Sequence, residues 1–337
     1  MILPIKKYKI YERKGRLSLM IEDKKTLSIL ETNILYLIVG FALITLGAKA
    51  QSKEVYTGLL ITEYLIILLP TLLYLKLKGY SVKENLRLNK ISLKQALLVV
   101  LIVIFSYPVA VFFNFIGIIV LSKFTETRAN LVPIPSGLME YLIGFIVIAL
   151  TPGICEEAMF RGMIMSSYNS LGKRKAIIYS AILFGLFHFN LQNLLGPIYL
   201  GILFGIVAYK TNSLFPTIIG HTVNNTIALT IGYFLTKGDQ GVEIPMDTVS
   251  IPQGEQIIFG LLGLGLIALV FGLVVYRLIK LLPTSHEKEI IQINSFTRGE
   301  YFTQDMNMRK GLNIIEGFPI LITIIIFIVL NYKYLFL

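Results

Sequence analysis

Thr151-Pro152-Gly153-Ile154-Cys155-Glu156-Glu157-Ala158-Met159-Phe160-Arg161-Gly162 closes an apolar run, residues 138–150, and carries two carboxylates and an arginine into it. Ionisable side chains at membrane depth cost about 2.5–3.5 kcal/mol each on insertion scales, so they are usually buried, paired and functional. The spacing assigns roles. Glu157 and Arg161 stand at i and i+4, on one helix face, and can pair. Glu156 lies about 100° round the helix and has no such local partner. One carboxylate is neutralised in place and the other faces something else. The competing reading is a charge cluster at a helix end, its side chains snorkelling to water.

Composition frames that stretch. The chain has 337 residues, is 55% hydrophobic and only 15% charged, with a mean hydropathy of +0.73. A soluble domain carries about 25% charged residues, so the chain reads as a polytopic membrane protein. Its net charge of +11 fits basic cytoplasmic loops. No basic run interleaves with aromatics as a nucleic-acid groove would, which excludes nucleic acid as a partner. One cysteine, Cys155, leaves no intrachain disulfide and no cysteine-built metal site. With tryptophan absent, the 18 tyrosines supply the interfacial aromatics.

Residues 1–32 are polar and basic and read as a cytoplasmic arm or a surface-lying amphipathic segment. A short first span, about Ile34 to Ala48, is followed by spans at about Gly58–Leu75 and Leu93–Leu121, the latter with Pro108 and Gly117 as bend points. The fourth begins at Leu138 and runs into the Glu-Glu stretch, where Pro152-Gly153 predicts a kink. Further helices are expected at about Ala176–Phe189, Gly196–Tyr209, Leu214–Leu235 and Gln256–Leu282. A polar segment, 283–317, precedes a last apolar run, Phe318–Leu335. The expected fold is therefore all-α, a transmembrane bundle of about eight or nine spans. Its parts are the arm, N-terminal helices over 33–137, a core over 138–235 and C-terminal helices over 236–337.

Loop charges alternate. The arm is basic, as are the loop with Lys76, Lys78, Lys83, Arg87, Lys90 and Lys94, the triplet Lys173-Arg174-Lys175, and the segment with Arg298, Arg309 and Lys310. The intervening loops carry few cations (Lys49 and Lys53; Lys123 and Arg128) or are acidic (Asp239, Glu243, Asp247, Glu255). This places the N-terminus in the cytoplasm and, with nine spans, the C-terminus outside.

Few other polar groups lie inside apolar helices. Of three histidines, His286 falls in the polar segment, His188 ends Phe184-Gly185-Leu186-Phe187-His188, and His221 lies in Gly220-His221-Thr222-Val223-Asn224-Asn225. His221 and Asn225, at i and i+4, point into one groove. A lone intramembrane His or Asn is often interhelical glue worth about 0.6–2 kcal/mol. Two histidines, an asparagine and an unpaired glutamate in one bundle read as a reaction centre. A buried glutamate beside a histidine can hold and deprotonate water. A second histidine with an asparagine one turn away suits a developing oxyanion. Together these describe amide hydrolysis, with no serine or cysteine in a nucleophile's setting.

Glu156-Glu157-x-x-x-Arg161, Phe184-x-x-x-His188 and His221-x-x-x-Asn225 resemble, in order and on separate helices, the three motifs of the CPBP intramembrane proteases. That family includes the type II CAAX prenyl endopeptidases and the bacteriocin-processing and self-immunity proteins. The resemblance covers about Leu138 to Leu235. It implies a helical bundle with a cavity open to the cytoplasm and sideways to lipid, acting on a membrane-anchored peptide or lipidated protein. It also implies Glu156 and His188 on the catalytic water, His221 and Asn225 at the oxyanion, and Glu157 with Arg161 as support. The implied chemistry needs no cofactor. A zinc alternative would take Glu156, His188 and His221 as ligands, without an H-E-x-x-H helix. Two other functions compete: a non-proteolytic immunity or scaffold protein of the same fold, which loss of a motif residue would favour, and a proton-coupled transporter. The transporter predicts inverted repeats, and none is visible.

Overall fold

The structure, a computed structural model, describes residues 5–13, 16–24, 26–122, 134–238, 255–284 and 309–332. Lys123, Arg128, Asp239, Glu243, Asp247, His286 and Arg298 lie outside the described residues. The basic arm forms a hairpin, β1 (Ile5–Arg13) pairing antiparallel with β2 (Arg16–Lys24), in the register Tyr8↔Ile21 and Ile10↔Leu19. Leu17, Leu19 and Ile21 alternate with neighbours at period two, a strand signal that a helix-minded reading of the arm passes over.

Among the described residues every regular element after the hairpin is helical. In chain order the helical stretches are α1 (Ile29–Lys53), α2 (Val55–Leu77), α3 (Leu93–Ser122), α4 (Leu138–Leu171), α5 (Lys173–Phe187), α6 (Leu195–Thr211), α7 (Phe215–Gly238), α8 (Glu255–Leu281) and α9 (Ile314–Leu330). Among the described residues five of them, α1 to α4 and α8, are long and apolar enough to cross a membrane, and α6 and α9 are shorter apolar helices. The expected helices are thus present, with shifted ends, and five of them qualify as spans against the eight or nine expected. The first is longer than its apolar run because Ser28 caps it early, accepting from the Glu31 N–H. The last starts at Ile314 because Asn313 and Glu316 form a reciprocal capping box.

One end of the bundle gathers the basic connections. Asn89 donates to the Asn212 carbonyl, Gln95 to the Pro283 carbonyl, Arg309 N–H to the Ser170 carbonyl and Lys175 Nζ to the Lys310 carbonyl. The 78–95, 170–175, 210–213, 283 and 309–310 segments therefore share a face, as the alternation of loop charges requires.

The main core cluster is centred on α4 and α5. Phe160 packs edge-on against Phe184 and Phe187, with ring centroids 5.0 and 5.2 Å apart. Tyr36 of α1 closes the cluster and donates to the Leu183 carbonyl at 2.8 Å. This packing fixes α4 against α5, and so fixes the Glu-Glu stretch relative to the helix that ends at His188.

Candidate active site

The helix α4 is not a regular α-helix. It takes π turns over Phe145–Leu150 and Ala158–Ile164, on either side of the α-helical Thr151–Glu157. Such turns inside helices concentrate at functional sites. The first ends just before Pro152, which has no N–H to offer the Ile148 carbonyl four residues back. Asn225 of α7 donates to that carbonyl instead, Nδ2 to O, at 3.1 Å. The local defect announced by Pro152 is thus met by a side chain from a neighbouring helix. One amide proton of Asn225 is spent there, and the other remains for a ligand. Gly153 supplies the closeness: a Cβ there would lie 2.6 Å from Thr222 Oγ1 and 3.2 Å from the Ile218 carbonyl, so only glycine lets α4 sit this tightly on α7.

That approach brings the Glu-Glu pair onto His221. Glu157 and Arg161 form the expected i,i+4 ion pair, Oε1 to Nη1 at 2.7 Å, with both side chains fully buried. Oε1 of Glu157 also meets His221 Nδ1 at 3.0 Å, a second partner that spacing along one helix could not reveal. Arg161 is held by aromatic faces as well as by charge: its guanidinium lies 4.3 Å from the Phe184 ring centroid and 5.4 Å from that of Phe204. Among the described residues Glu157 Oε2 and Arg161 Nε and Nη2 are buried without hydrogen-bond partners, so the pair is only partly satisfied.

Glu156 faces the other edge of the same imidazole, its Oε2 3.7 Å from His221 Nε2. His221 is thus a partner of Glu156 beyond the one that the family resemblance implies. Among the described residues the ionisable side chain against Glu156 that is also a histidine is His221, and His188 makes its ring hydrogen bond elsewhere, Nδ1 to the Phe184 carbonyl at 2.9 Å. The reason is local: His188 caps the end of α5 and its ring folds back on its own last turn. Phe184 stands between the two histidines, edge-on to each, with centroid distances of 5.1 and 5.8 Å. Phe204 of α6 stacks on His221 from another side, with centroids 5.8 Å apart and planes at 23°. Glu156, Glu157, Arg161, His221 and Asn225 are therefore gathered at the α4–α7 contact, with His188 one aromatic ring away.

A third carboxylate belongs to this neighbourhood. Glu63 of α2 is 5% exposed, acts electrostatically on Glu156 and Cys155, and among the described residues leaves Oε2 buried without a hydrogen-bond partner. The signal for it was in the sequence. Glu63 is an ionisable residue inside the apolar run Gly58–Leu75, and the cost argument that singles out Glu156 applies to it equally. Cys155 itself is buried. Among the described residues no three His, Cys, Asp or Glu side chains are grouped to hold a metal ion. Glu156, His188 and His221 as arranged thus do not form a zinc ligand set.

Beside the site runs an apolar cavity of about 510 Å³ between α3, α4 and α7, lined among others by Ile104, Phe145, Leu150, Ile218, Thr222 and Thr226. Thr222 links the two, being the residue after His221 and the one that Gly153 packs on.

No curated protein and no solved structure matches the chain. One family model does: Rce1-like, the type II CAAX prenyl endopeptidases, over residues 138–227, which is 90 of the 337 residues. That segment begins with α4 and ends two residues past Asn225, so it encloses all three motifs. Over that segment the chain is similar to the type II CAAX prenyl endopeptidases, in line with the resemblance to the CPBP intramembrane proteases that its three motifs carry.

Proposed function

We propose that the chain is an intramembrane endopeptidase in which Glu156 activates the hydrolytic water, acting on a peptide bond of a membrane-associated substrate. The observation that carries this reading is the position of the Glu156 carboxylate against His221 Nε2, at 3.7 Å in a site where both side chains are under 15% exposed. That separation lets one water oxygen hydrogen-bond to both groups. Glu157 accepts from Nδ1–H of His221, which fixes the tautomer and leaves Nε2 directed at the reaction centre. Water attacks the scissile carbonyl carbon as its proton passes to Glu156. Glu156 hands that proton to His221 Nε2, and the imidazolium N–H, with the free N–H of Asn225, stabilises the oxyanion. The C–N bond breaks as the proton moves on to the leaving amine. His188, beyond Phe184, is assigned to the far wall of the same site.

The substrate is a lipidated C-terminus of CAAX type or a membrane-bound precursor peptide, and the apolar cavity beside Thr222 suits its lipid or apolar segment. The test is cleavage of a farnesylated CAAX-type peptide by the purified chain in proteoliposomes, before and after exhaustive dialysis against chelator. Activity should survive dialysis with far less than one zinc per chain. A dead apo-protein restored by stoichiometric zinc would replace the glutamate mechanism with a metal one.

The basic end of the bundle is assigned to the cytoplasm, with the N-terminus on that side and the active site open to it. Arg174 lies exposed at that end and Cys155 is buried. Arg174→Cys in intact cells should therefore resist a membrane-impermeant thiol reagent, and should react in inverted vesicles. Labelling from outside would invert the topology and the side of cleavage.

A further inference from the structure

We infer that Asn331, at the end of the last helix and far outside the family-matched segment, is a positioning residue for His188. His188 is the C-cap of α5, and the chain leaves it through a tight turn. The next residue, Phe189, has φ of 47°, the left-handed region that side chains other than Gly, Asn and Asp seldom adopt. A backbone held in that region needs its surroundings to keep it there. Its N–H stays on the Leu186 carbonyl, and further along the turn the Gln192 N–H donates to Asn190 Oδ1 at 2.9 Å.

Asn331 closes it. Its Nδ2 donates to the Phe189 carbonyl at 3.1 Å, and its Oδ1 accepts from the Leu191 N–H at 3.0 Å. One side-chain amide thus holds both arms of the turn. Asn331 is itself 1% exposed and fixed to its own helix, Nδ2 to the Phe327 carbonyl at 2.8 Å and backbone N–H to the same oxygen at 3.1 Å. The helix that delivers it is anchored at its other end. Arg309 forks onto Glu316 at 2.8 and 2.7 Å, and Asn33 of α1 donates to the Glu316 carbonyl at 2.8 Å. A helix pinned at one end and bonded across the His188 turn at the other sets where α5 stops, and therefore where the imidazole sits. The hydrogen bond from the His188 ring to the Phe184 carbonyl survives only while the last turn of α5 keeps its shape.

The inference rests on the reading that His188 belongs to the active site, so the test includes a measurement independent of catalysis. The full chain, with histidine ring nitrogens isotopically labelled, is reconstituted in nanodiscs. His188 and His221 signals are assigned with single His→Gln variants. In Asn331→Ala the His188 ring signals should shift or split into more than one tautomer, while those of His221 stay in place. Asn331→Asp keeps the acceptor for Leu191 and loses the donor, and should fall between, which also serves if the alanine variant does not fold. In the cleavage assay kcat should fall about tenfold to a hundredfold, the scale expected of a misplaced group, with KM within about twofold. Unmoved His188 signals in both variants would overturn the inference, as would His221 signals moving equally, since that would mean general loosening. Moved His188 signals with unchanged kcat would leave Asn331 as the positioning residue and would instead remove His188 from the proposed mechanism.

Discussion

Glu156→Gln should abolish peptide cleavage while leaving the protein folded and inserted. The amide keeps the size and most of the contacts of the carboxylate but cannot take a proton from water. A positioned general base contributes about 10²–10⁴ in rate, and here the same group also holds the nucleophile, so the loss should reach the upper part of that range. The melting temperature should barely change, because Glu156, unlike Glu157, makes no short ion pair: its distance to His221 is 3.7 Å, against 2.7 Å between Glu157 and Arg161. Turnover of the purified variant in proteoliposomes decides the matter. Wild-type rates would remove Glu156 from the role of base and turn attention to Glu63, the buried carboxylate beside it.

What the sequence made legible follows from how local the physics is. The ion pair between Glu157 and Arg161 and the shared face of His221 and Asn225 depend only on 3.6 residues per turn, and both hold in the structure. The helical bundle follows from apolar runs of membrane length. Contacts between helices are a different matter. That Glu157 reaches His221 depends on Gly153 letting α4 sit against Thr222, a fact about two surfaces that no period records. That Asn225 meets the Ile148 carbonyl depends on Pro152 leaving that oxygen short of its usual donor. The proline was readable as a kink, but which neighbour would answer it was not. That Glu156 also faces His221 is a contact between two helices, which spacing along either one does not record. Glu63 was missed for a simpler reason, since attention went to the run with two carboxylates and passed over the run with one.

Replacing Glu157 separates its two tasks. Glu157→Ala removes the partner of a fully buried arginine and the anchor of His221 Nδ1 together. Stranding one charge of a buried pair costs about 3–5 kcal/mol, so the melting temperature in detergent should fall steeply and cleavage should be lost. Taken alone that result says only that the fold suffered. Glu157→Ala with Arg161→Leu removes the stranded charge as well, and exchanging a whole buried pair for apolar groups is often close to neutral. The double variant should therefore recover much of the lost stability. It should not recover activity, because His221 would still lack the carboxylate that selects its tautomer and turns Nε2 toward Glu156. Arg161 lies against Phe184 and Phe204, and a leucine can occupy part of that aromatic cleft. A double variant regaining both stability and turnover would make Glu157 purely structural. A single variant melting like wild type while inactive would show the reverse, that the pair contributes little to the fold and Glu157 acts through His221 alone.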